Sequence, residues 1–259
     1  MHPSSTGPSY LYGTLHSRDQ RVFRFHDSVW VAYAACDLVA GELEMGETRR
    51  LLPTAMEAMF IPGGRSLDQL YGKREYARLD LALKERLGPL APLTMRLQPF
   101  YTMALLSELE LGNDSAEVLD AWWQSKARRE GRDVIGLETM EEQLAAVRRI
   151  PLRTQARLLL ALATDTAHAG SMDEALACYS RADLPGLMKL MERDGLPEHA
   201  DKALLDERNA RMAGRLDERI QQGRRVFATV GAAHLPGPKG LIADLRAMGY
   251  RVRAVGVGP

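Results

Sequence analysis

The sequence predicts an α/β fold with a parallel or mixed central sheet, built from two similar βαβ halves with a large helical insertion between them. Three observations support this prediction. Short apolar segments near both chain ends stop at a glycine, helical segments follow each of them, and the middle of the chain is dominated by helical periodicity. A strand, a helix and a second strand in this order are typical of a parallel pair, which implies a sheet with covered faces.

The N-terminal half begins with a short apolar strand, Tyr10–Tyr12, which stops at Gly13. A helical stretch is expected at about Ser28–Ala35, and Leu38–Leu43 is expected to form the second strand. These elements make up the first predicted βαβ unit.

The C-terminal half repeats this order. Val226–Val230 is predicted to be a strand, Gly231 opens a turn, and a helix is expected from about Lys239 to Met248. Gly249 lies where a helix C′ residue belongs, and Arg251–Val255 is then expected to form a last strand.

The centre of the chain, roughly 48–222, carries mainly helical signals. Arg74–Leu87, Leu152–Ala167 and Leu204–Ile220 have apolar residues at the three- and four-residue spacing of amphipathic helices. The exception is Asp133–Leu137, a β-type run followed by a helix over Met140–Arg149. We therefore predict a single domain over residues 1–259, with its core at about 10–47, 130–150 and 224–256 and the helical insertion at about 48–129 and 151–223.

The overall charge is balanced, with 34 basic and 34 acidic side chains, and this argues against a nucleic-acid or anionic-membrane partner. Two cysteines, Cys36 and Cys178, have no metal-type spacing and are interpreted as lone structural thiols. No apolar signal segment precedes Tyr10, and the longest early apolar run, Val29–Cys36, is too short to span a bilayer. The sequence as it stands suits the cytoplasm, and a periplasmic or secreted location would apply if a signal had been removed.

Two Gly-x-x-His segments carry the main chemical signal: Gly13-Thr-Leu-His16 and Gly231-Ala-Ala-His234. Each glycine ends a predicted strand, so each histidine is expected in a loop at the carboxyl edge of the sheet, where ligands bind in open α/β sheets. Imidazole is the commonest metal ligand and the natural proton-transfer group near neutral pH. A single motif of this kind is usually only a surface loop, and the pair gains weight because both occupy one position in a repeated unit. The other four histidines are interpreted as surface or capping residues: His2, His26, His168 and His199.

Two glutamates are candidate acidic partners. Glu42 ends the predicted strand Leu38–Leu43, although Glu44 competes with it, and both could be ordinary strand-end charges. Glu138 follows the strand Asp133–Leu137, where a first-turn acid would also favour the positive end of the next helix. A carboxylate beside two histidines would suit a divalent ion or act as a general base on water.

The triplet Glu207-Arg208-Asn209 falls in a predicted helix. Its spacing favours a solvated helix face, with Glu207 paired to Arg211 one turn later, over a role in stabilising an oxyanion. Other chemistry has little support. The sequence has no G-x-S-x-G, P-loop or H-E-x-x-H motif, and the pair Trp122-Trp123 is more typical of a core or a subunit contact than of a nucleic-acid patch.

Taken in order, short segments along almost the whole chain resemble the TraB/GumN family, which includes the TIKI-type metalloproteases. The matching segments are Tyr10-Leu-Tyr-Gly-Thr-Leu-His16, Cys36-Asp-Leu-Val-Ala-Gly-Glu42, Arg65-Ser-Leu-Asp-Gln-Leu70, Val134-Ile-Gly-Leu-Glu-Thr139, Glu142-Gln143, Glu207-Arg-Asn209 and Val230-Gly-Ala-Ala-His-Leu-Pro-Gly237. The family is related to erythromycin-esterase-like and ChaN-like proteins, which implies an α/β core with two similar halves. Many of its members carry a secretion signal, which this chain does not show.

The resemblance implies a metal-dependent hydrolase, peptidase-like or esterase-like, that acts on a peptide or on a small ester or amide. It implies His16, His234 and Glu138 as ligands of a divalent ion such as Mn, Co or Zn, and Glu42, Glu138, Arg208 and Asn209 as catalytic residues. For Arg208 and Asn209 the resemblance reverses the interpretation drawn from spacing. Two alternatives stay open, a hydrolase in which His16 or Glu42 activates water without metal and a non-catalytic haem- or metal-binding protein of ChaN-like type. A homodimer is a further expectation.

Overall fold

A computed structural model describes residues 7–110, 114–164, 171–193 and 202–256. Four strands form one sheet: β1 (Tyr10–Thr14), β2 (Leu38–Gly41), β3 (Asp133–Gly136) and β4 (Val226–Gly231). Their spatial order is β1-β4-β2-β3, and all three pairings are parallel. The predicted α/β class with a parallel sheet is therefore confirmed, whereas its division into two similar halves stays a prediction.

Helices make up most of the remaining regular structure. The α-helices of the described residues are α1 (Asp27–Ala34), α2 (Met45–Met59), α3 (Lys73–Leu87), α4 (Pro99–Glu110), α5 (Leu119–Arg129), α6 (Met140–Arg148), α7 (Leu152–Thr164), α8 (Ser171–Ser180), α9 (Leu184–Arg193), α10 (Glu207–Gln221) and α11 (Leu241–Ala247). A π-helical turn, Lys202–Asp206, leads into α10. None of the helices in the described ranges is long and apolar enough to cross a membrane.

The predicted last strand, Arg251–Val255, is wrong, because these residues form no strand. Arg246 donates a 2.8 Å hydrogen bond to the carbonyl of Val252, so a side chain satisfies an acceptor that a ladder would need. The β-like alternation of Arg and Val is therefore not matched by a neighbouring strand, and the second βαβ unit is not completed by this segment.

The chain divides into two compact units. The first contains Met1–Arg49, Gly112–Met140 and Asp173–Pro259, and the second contains Arg50–Leu111 and Glu141–Met172. The first unit holds the whole sheet, together with α5 and α10, which lie within the predicted insertion. The single-domain assignment stays a prediction.

The core of the first unit lies between the sheet and α10. Met212 and Leu216 of α10 pack with Leu38, Ala228 and Val230 from the central strands, and all five are almost completely buried. Trp123 is also fully buried, and its ring lies 5.0 Å from that of Phe227, which confirms a core role for this tryptophan.

The second unit has a core of its own. Its helices α3, α4 and α7 contribute buried leucines, among them Leu79, Leu83, Leu106 and Leu159. The predicted amphipathic helix over Arg74–Leu87 is confirmed as α3, and its leucines at 79 and 83 form the buried side.

His26, one of the four histidines interpreted as surface or capping residues, caps α1. Its Nδ1 accepts a hydrogen bond from the Ser28 amide at 3.2 Å, and the residue is exposed. His2, His168 and His199 lie outside the described residues. Cys36 and Cys178 are both free thiols.

Candidate functional site

The carboxyl ends of the four strands bring the predicted site residues to one edge of the sheet. Thr14 is in register with Gly231, and Gly41 is in register with both Thr229 and Gly136. Glu42 follows Gly41 directly, and its carbonyl accepts a 2.7 Å hydrogen bond from the amide of Glu138. Parallel strands place their carboxyl ends together, so these loops share one edge.

Arg208, in the first turn of α10, joins the two glutamates. Its Nη2 donates to Oε2 of Glu42 at 2.6 Å, and its Nε donates to Oε2 of Glu138 at 2.7 Å. Nη1 donates to the carbonyl of Leu204, in the π-helical turn, at 3.1 Å. The Glu138 side chain is completely buried, and those of Arg208 and Glu42 are 12% and 24% exposed, so this is a largely buried carboxylate–guanidinium–carboxylate triad.

The groups around Glu42 set its charge state. Burial alone would raise the pKa of this carboxyl, but the attraction of His234 and Arg208 and the Gly231 N–H, 2.8 Å from Oε1, outweigh burial and lower the pKa below 4.5. Burial likewise lowers the pKa of Arg208, but Glu42 and Glu138 more than compensate and raise it. Glu42 is therefore a carboxylate and Arg208 a guanidinium at neutral pH.

His234 is held by Asn209, the next residue of α10. The histidine lies in a short 3₁₀ turn, Ala232–His234, directly after β4, and only 4% of it is exposed. Nδ1 lies 2.6 Å from Oδ1 of Asn209, and Nδ2 of the same amide donates to the carbonyl of Lys239 at 2.7 Å. Because a carbonyl can only accept, this second bond assigns the amide orientation, so Nδ1 of His234 carries the proton.

The other ring nitrogen of His234 faces Glu42. Nε2 lies 3.5 Å from Oε1 of Glu42. Burial lowers the pKa of His234, Glu42 opposes this shift and Arg208 adds to it, and the net pKa lies below 6.5. At neutral pH a neutral imidazole therefore presents a lone pair towards a carboxylate oxygen.

The two glycines of the Gly-x-x-His segments are needed for space rather than for a left-handed backbone. Gly231 has φ −51°, and Gly13 is not among the residues with positive φ. A Cβ on Gly231 would lie 3.1 Å from Oε1 of Glu42, and one on Gly13 would lie 2.9 Å from Cδ1 of Leu235. Other atoms therefore approach the backbone closely at both strand ends.

His16 lies at the end of β1 but in a different environment. Its side chain is 61% exposed, and Nδ1 lies 3.6 Å from Oδ2 of Asp120 in α5. Oδ1 of the same carboxylate accepts a hydrogen bond from the Thr14 hydroxyl. The sequence reasoning missed Asp120, because a first-turn acid more than one hundred positions away gives no local signal of this contact.

Two further arginines of α10 reach the same region: Arg211, which spacing had assigned to a pair with Glu207, and Arg215, which was missed. Nη2 of Arg211 lies 3.8 Å from Oε1 of Glu138, and Arg215 donates to the carbonyl of Leu137 at 2.7 Å. Arg208, Arg211 and Arg215 are spaced at i, i+3 and i+7, so one helix face carries all three. That spacing was a readable signal for a charged, inward-facing side.

Glu44, the competing candidate to Glu42, has a local role. Its carboxylate accepts from the amides of Gly46 and Glu47 at 3.0 and 2.5 Å, in the first turn of α2, and it pairs with Arg128. The neighbouring glutamates therefore differ in function, since Glu42 contacts Arg208 and His234 whereas Glu44 caps a helix.

The residues predicted to bind a divalent ion are not gathered around one point. Among the described residues no group of three or more His, Cys, Asp or Glu side chains could hold a metal ion. His16 faces Asp120, and an arginine already engages the carboxylates of both Glu42 and Glu138. Of the predicted site residues, His234 and Glu42 place one nitrogen and one oxygen donor side by side, and two donors do not make a closed metal site.

Comparison with known proteins gives the relationship of the chain. The model of the TraB/PrgY/gumN family matches residues 2–254, nearly the whole length. The chain belongs to the TraB/PrgY/gumN family. This confirms the resemblance drawn from the short segments of the sequence.

Curated TraB/PrgY/gumN relatives include two zebrafish proteins. The chain is 23% identical to Metalloprotease TIKI2 from Danio rerio, over 96% of this chain and 59% of that protein. It is also 23% identical to Metalloprotease TIKI1 from Danio rerio, over 97% of this chain and 62% of that protein. The chain thus spans about three-fifths of the length of these relatives. No solved structure matches it.

Proposed function

We propose that this protein is a hydrolase of amide or ester bonds that uses the site formed by Glu42, Glu138, Arg208, Asn209 and His234. One observation carries the proposal: Nε2 of neutral His234 and Oε1 of ionised Glu42 lie 3.5 Å apart, and both are acceptors. Oε1 of Glu42 already accepts from the Gly231 N–H, whereas the Nε2 lone pair of this buried ring needs a proton donor of its own. Water is the donor that a hydrolase needs at this point.

A water hydrogen-bonded to both acceptors would be polarised for attack on a carbonyl carbon. Its oxygen forms the new C–O bond while one of its protons passes to Nε2 of His234, which acts as the general base. The tetrahedral intermediate then expels the amine or alcohol, which takes that proton back from the imidazolium. Glu42 stabilises the transient positive charge on the ring at 3.5 Å.

Asn209 and Arg208 have different supporting roles in this scheme. Oδ1 of Asn209 contacts Nδ1 of His234 and its Nδ2 donates to the Lys239 carbonyl, so this side chain orients His234. Arg208 uses one N–H of each terminal nitrogen, on Glu42 and on Leu204. The second N–H of each remains, so Arg208 is the candidate oxyanion donor.

The curated relatives support the same class of reaction, since both are named metalloproteases. A peptide or a small ester or amide is therefore the proposed substrate. A divalent ion would supply hydroxide by lowering the pKa of bound water to about 7. No step of the scheme runs through such an ion, because the donors are not gathered for it. The homodimer also stays a prediction.

Hydrolysis is favoured over haem binding by the burial of His234. With 4% exposure and Nδ1 bonded to Asn209, His234 offers no open face to a haem iron. Of the two predicted site histidines, His16 is the exposed one, with 61% of its side chain accessible, and it is therefore the candidate haem ligand of that alternative. A Soret band on haem titration that disappears in His16→Ala would reverse this preference.

The proposal is tested with chromogenic ester and amide substrates and with a quenched fluorescent peptide library. Wild type is compared with His234→Gln and Glu42→Gln, which keep polar side chains of similar size and remove the basic nitrogen and the negative charge respectively. The controls are His26→Asn, which keeps the α1 cap, and Glu85→Gln on an exposed face of α3. We expect both site variants to lose at least about a hundredfold in kcat, the scale of general-base catalysis.

Chelation is a separate arm of the same experiment. Full activity after exhaustive chelation would favour water activation by side chains alone, and activity restored only by added Mn, Co or Zn would favour a metal-dependent hydrolase. Turnover that survives intact in both His234→Gln and Glu42→Gln would sink the proposal.

A further inference from the structure

We propose that Arg208 occupies the position of a cation between Glu42 and Glu138, so that a divalent ion binds these carboxylates only by displacing its guanidinium group. This competition concerns binding and goes beyond the hydrolytic role, since it holds or fails whether or not the protein turns over a substrate. The relatives are named metalloproteases, whereas in this chain an arginine already binds the carboxylates of Glu42 and Glu138. The proposal accounts for this difference.

The geometry makes the two cations competitors. Nε and Nη2 lie on one edge of the guanidinium and contact Oε2 of Glu138 and Oε2 of Glu42 at 2.7 and 2.6 Å. A small divalent ion bound to these oxygens would lie about 2 Å from them. The guanidinium could not stay in place, because two positive charges would then be in contact with the same two atoms.

The chemistry of the surroundings favours a cation at this point. The guanidinium contacts one oxygen of each carboxylate, and Nε2 of His234 adds a nitrogen donor 3.5 Å from Oε1, the other oxygen of Glu42. Two oxygens and an imidazole nitrogen suit Mn²⁺ or Zn²⁺. With Arg208 removed, Arg211 would still lie near Glu138, but at the longer distance of 3.8 Å.

The helix start next to Arg208 offers the backbone a way to accommodate its release. The π-helical turn Lys202–Asp206 directly precedes α10, and its Leu204 carbonyl accepts from Nη1 of Arg208. π-Helical turns are rare and concentrate at functional sites. Displacement of the guanidinium therefore breaks one bond to this turn as well as the two carboxylate contacts.

The test measures Mn²⁺ binding by calorimetry on metal-free protein, with no substrate present. Arg208→Ala removes the competitor and is expected to bind Mn²⁺ at least about tenfold more tightly than wild type, because it removes the guanidinium that bridges the buried Glu138 and the partly exposed Glu42. Arg219→Met, which changes another arginine of the same helix, bonded to Gln222, serves as the matched control and should bind like wild type. The gain should disappear in Arg208→Ala combined with Glu138→Gln.

Chemical competition adds a second readout. Free guanidinium ion at millimolar, non-denaturing concentration should weaken Mn²⁺ binding by Arg208→Ala when compared with the same concentration of sodium chloride. Wild type should show no such difference, because its own guanidinium is already in place.

Three results would overturn the inference: equal Mn²⁺ affinity of wild type and Arg208→Ala, a gain that survives the Glu138→Gln change, or no effect of guanidinium beyond that of sodium chloride. Arg208→Ala could fail to fold without metal, in which case Arg208→Lys is used. An ammonium group cannot bridge both carboxylates as a fork does. Arg208→Lys should therefore bind Mn²⁺ more tightly than wild type, and equal affinity would again contradict the competition.

Discussion

Oδ1 of Asn209 lies 2.6 Å from Nδ1 of His234 and determines which nitrogen of that imidazole is free to accept a proton. The two residues are 25 positions apart, on α10 and on the turn after β4. Their contact converts a loop histidine into a buried group with a defined tautomer, so a change at Asn209 should alter the titration of His234.

Asn209→Asp should raise the pKa of His234, because a negative charge beside Nδ1 favours the imidazolium. More of the general base is then protonated near neutral pH, so the acid limb of the kcat profile should move to higher pH. Asn209→Leu should instead leave a buried N–H unsatisfied and cost about 1–3 kcal/mol in the free energy of unfolding. NMR titration of His234 and urea unfolding measure the two effects, and an unchanged His234 pKa in Asn209→Asp would contradict the assigned contact.

Stability should fall as the pH is lowered below about 6.5. The folded pKa of His234 is depressed, so below 6.5 the unfolded chain binds a proton that the folded chain does not, and the free energy of unfolding decreases as pH falls. Glu42 acts in the same direction below 4.5, since its folded pKa is also lowered. The Tm of His234→Gln should depend less steeply on pH between 6.5 and 5, whereas His26→Asn should follow wild type. Thermal unfolding at a series of pH values measures this, and equal slopes for His234→Gln and wild type would contradict the depressed pKa of His234.

Glu138→Ala should destabilise the protein by about 3–5 kcal/mol, the scale for removing one partner of a buried ion pair. Its side chain is fully buried, and the change leaves the Nε of Arg208 without its acceptor. Glu138→Gln keeps an oxygen acceptor and should cost less. Urea unfolding gives both values, with Glu85→Gln expected within about 0.5 kcal/mol of wild type as an exposed control. A Glu138→Ala protein as stable as that control would contradict the buried triad.

Gly231→Ala should impair the site more than the fold. The backbone at Gly231, with φ −51° and ψ 133°, is allowed for alanine, so little backbone strain is introduced. The new Cβ would lie 3.1 Å from Oε1 of Glu42 and move that carboxylate away from His234. We expect a loss of kcat with a small change in Tm. Gly249→Ala, at φ 94°, is the contrasting control, since it should lower Tm through backbone strain and leave kcat unchanged.

Asp120→Asn should separate the role of His16 from that of His234. Asp120 contacts both His16 and Thr14, and the histidine is exposed, so loss of the carboxylate should loosen the orientation of the imidazole. If His16 positions substrate, KM should rise while kcat changes little, and Asp120→Glu should recover part of the effect. Steady-state kinetics on the best substrate from the hydrolysis screen measure this split, and a kcat loss equal to that of His234→Gln would assign His16 to the chemical step.

Local sequence patterns located most elements well, with limits that have physical causes. Strands β1 to β4 could be predicted from the sequence, because short apolar runs between turn residues are typical of buried parallel strands. In Arg251–Val255 arginines alternate with apolar residues, as in a strand with one buried face, yet this segment forms no strand. Alternation indicates which side chains would share a face of a strand. A strand also needs a neighbouring strand that forms hydrogen bonds with its backbone, and alternation does not predict one.

The sequence by itself determined that the chain is α/β and that Glu42, Glu138 and both Gly-x-x-His segments follow strand ends, because strand ends and glycines are local features. Only the tertiary structure decided which side chains meet. It paired Arg208 with two glutamates, 166 and 70 positions away, buried His234 against Asn209, and left His16 exposed beside Asp120. The physical reason is that sheet order and the face of α10 bring distant segments together. The charge and the tautomer of a buried group then depend on those neighbours rather than on its own motif.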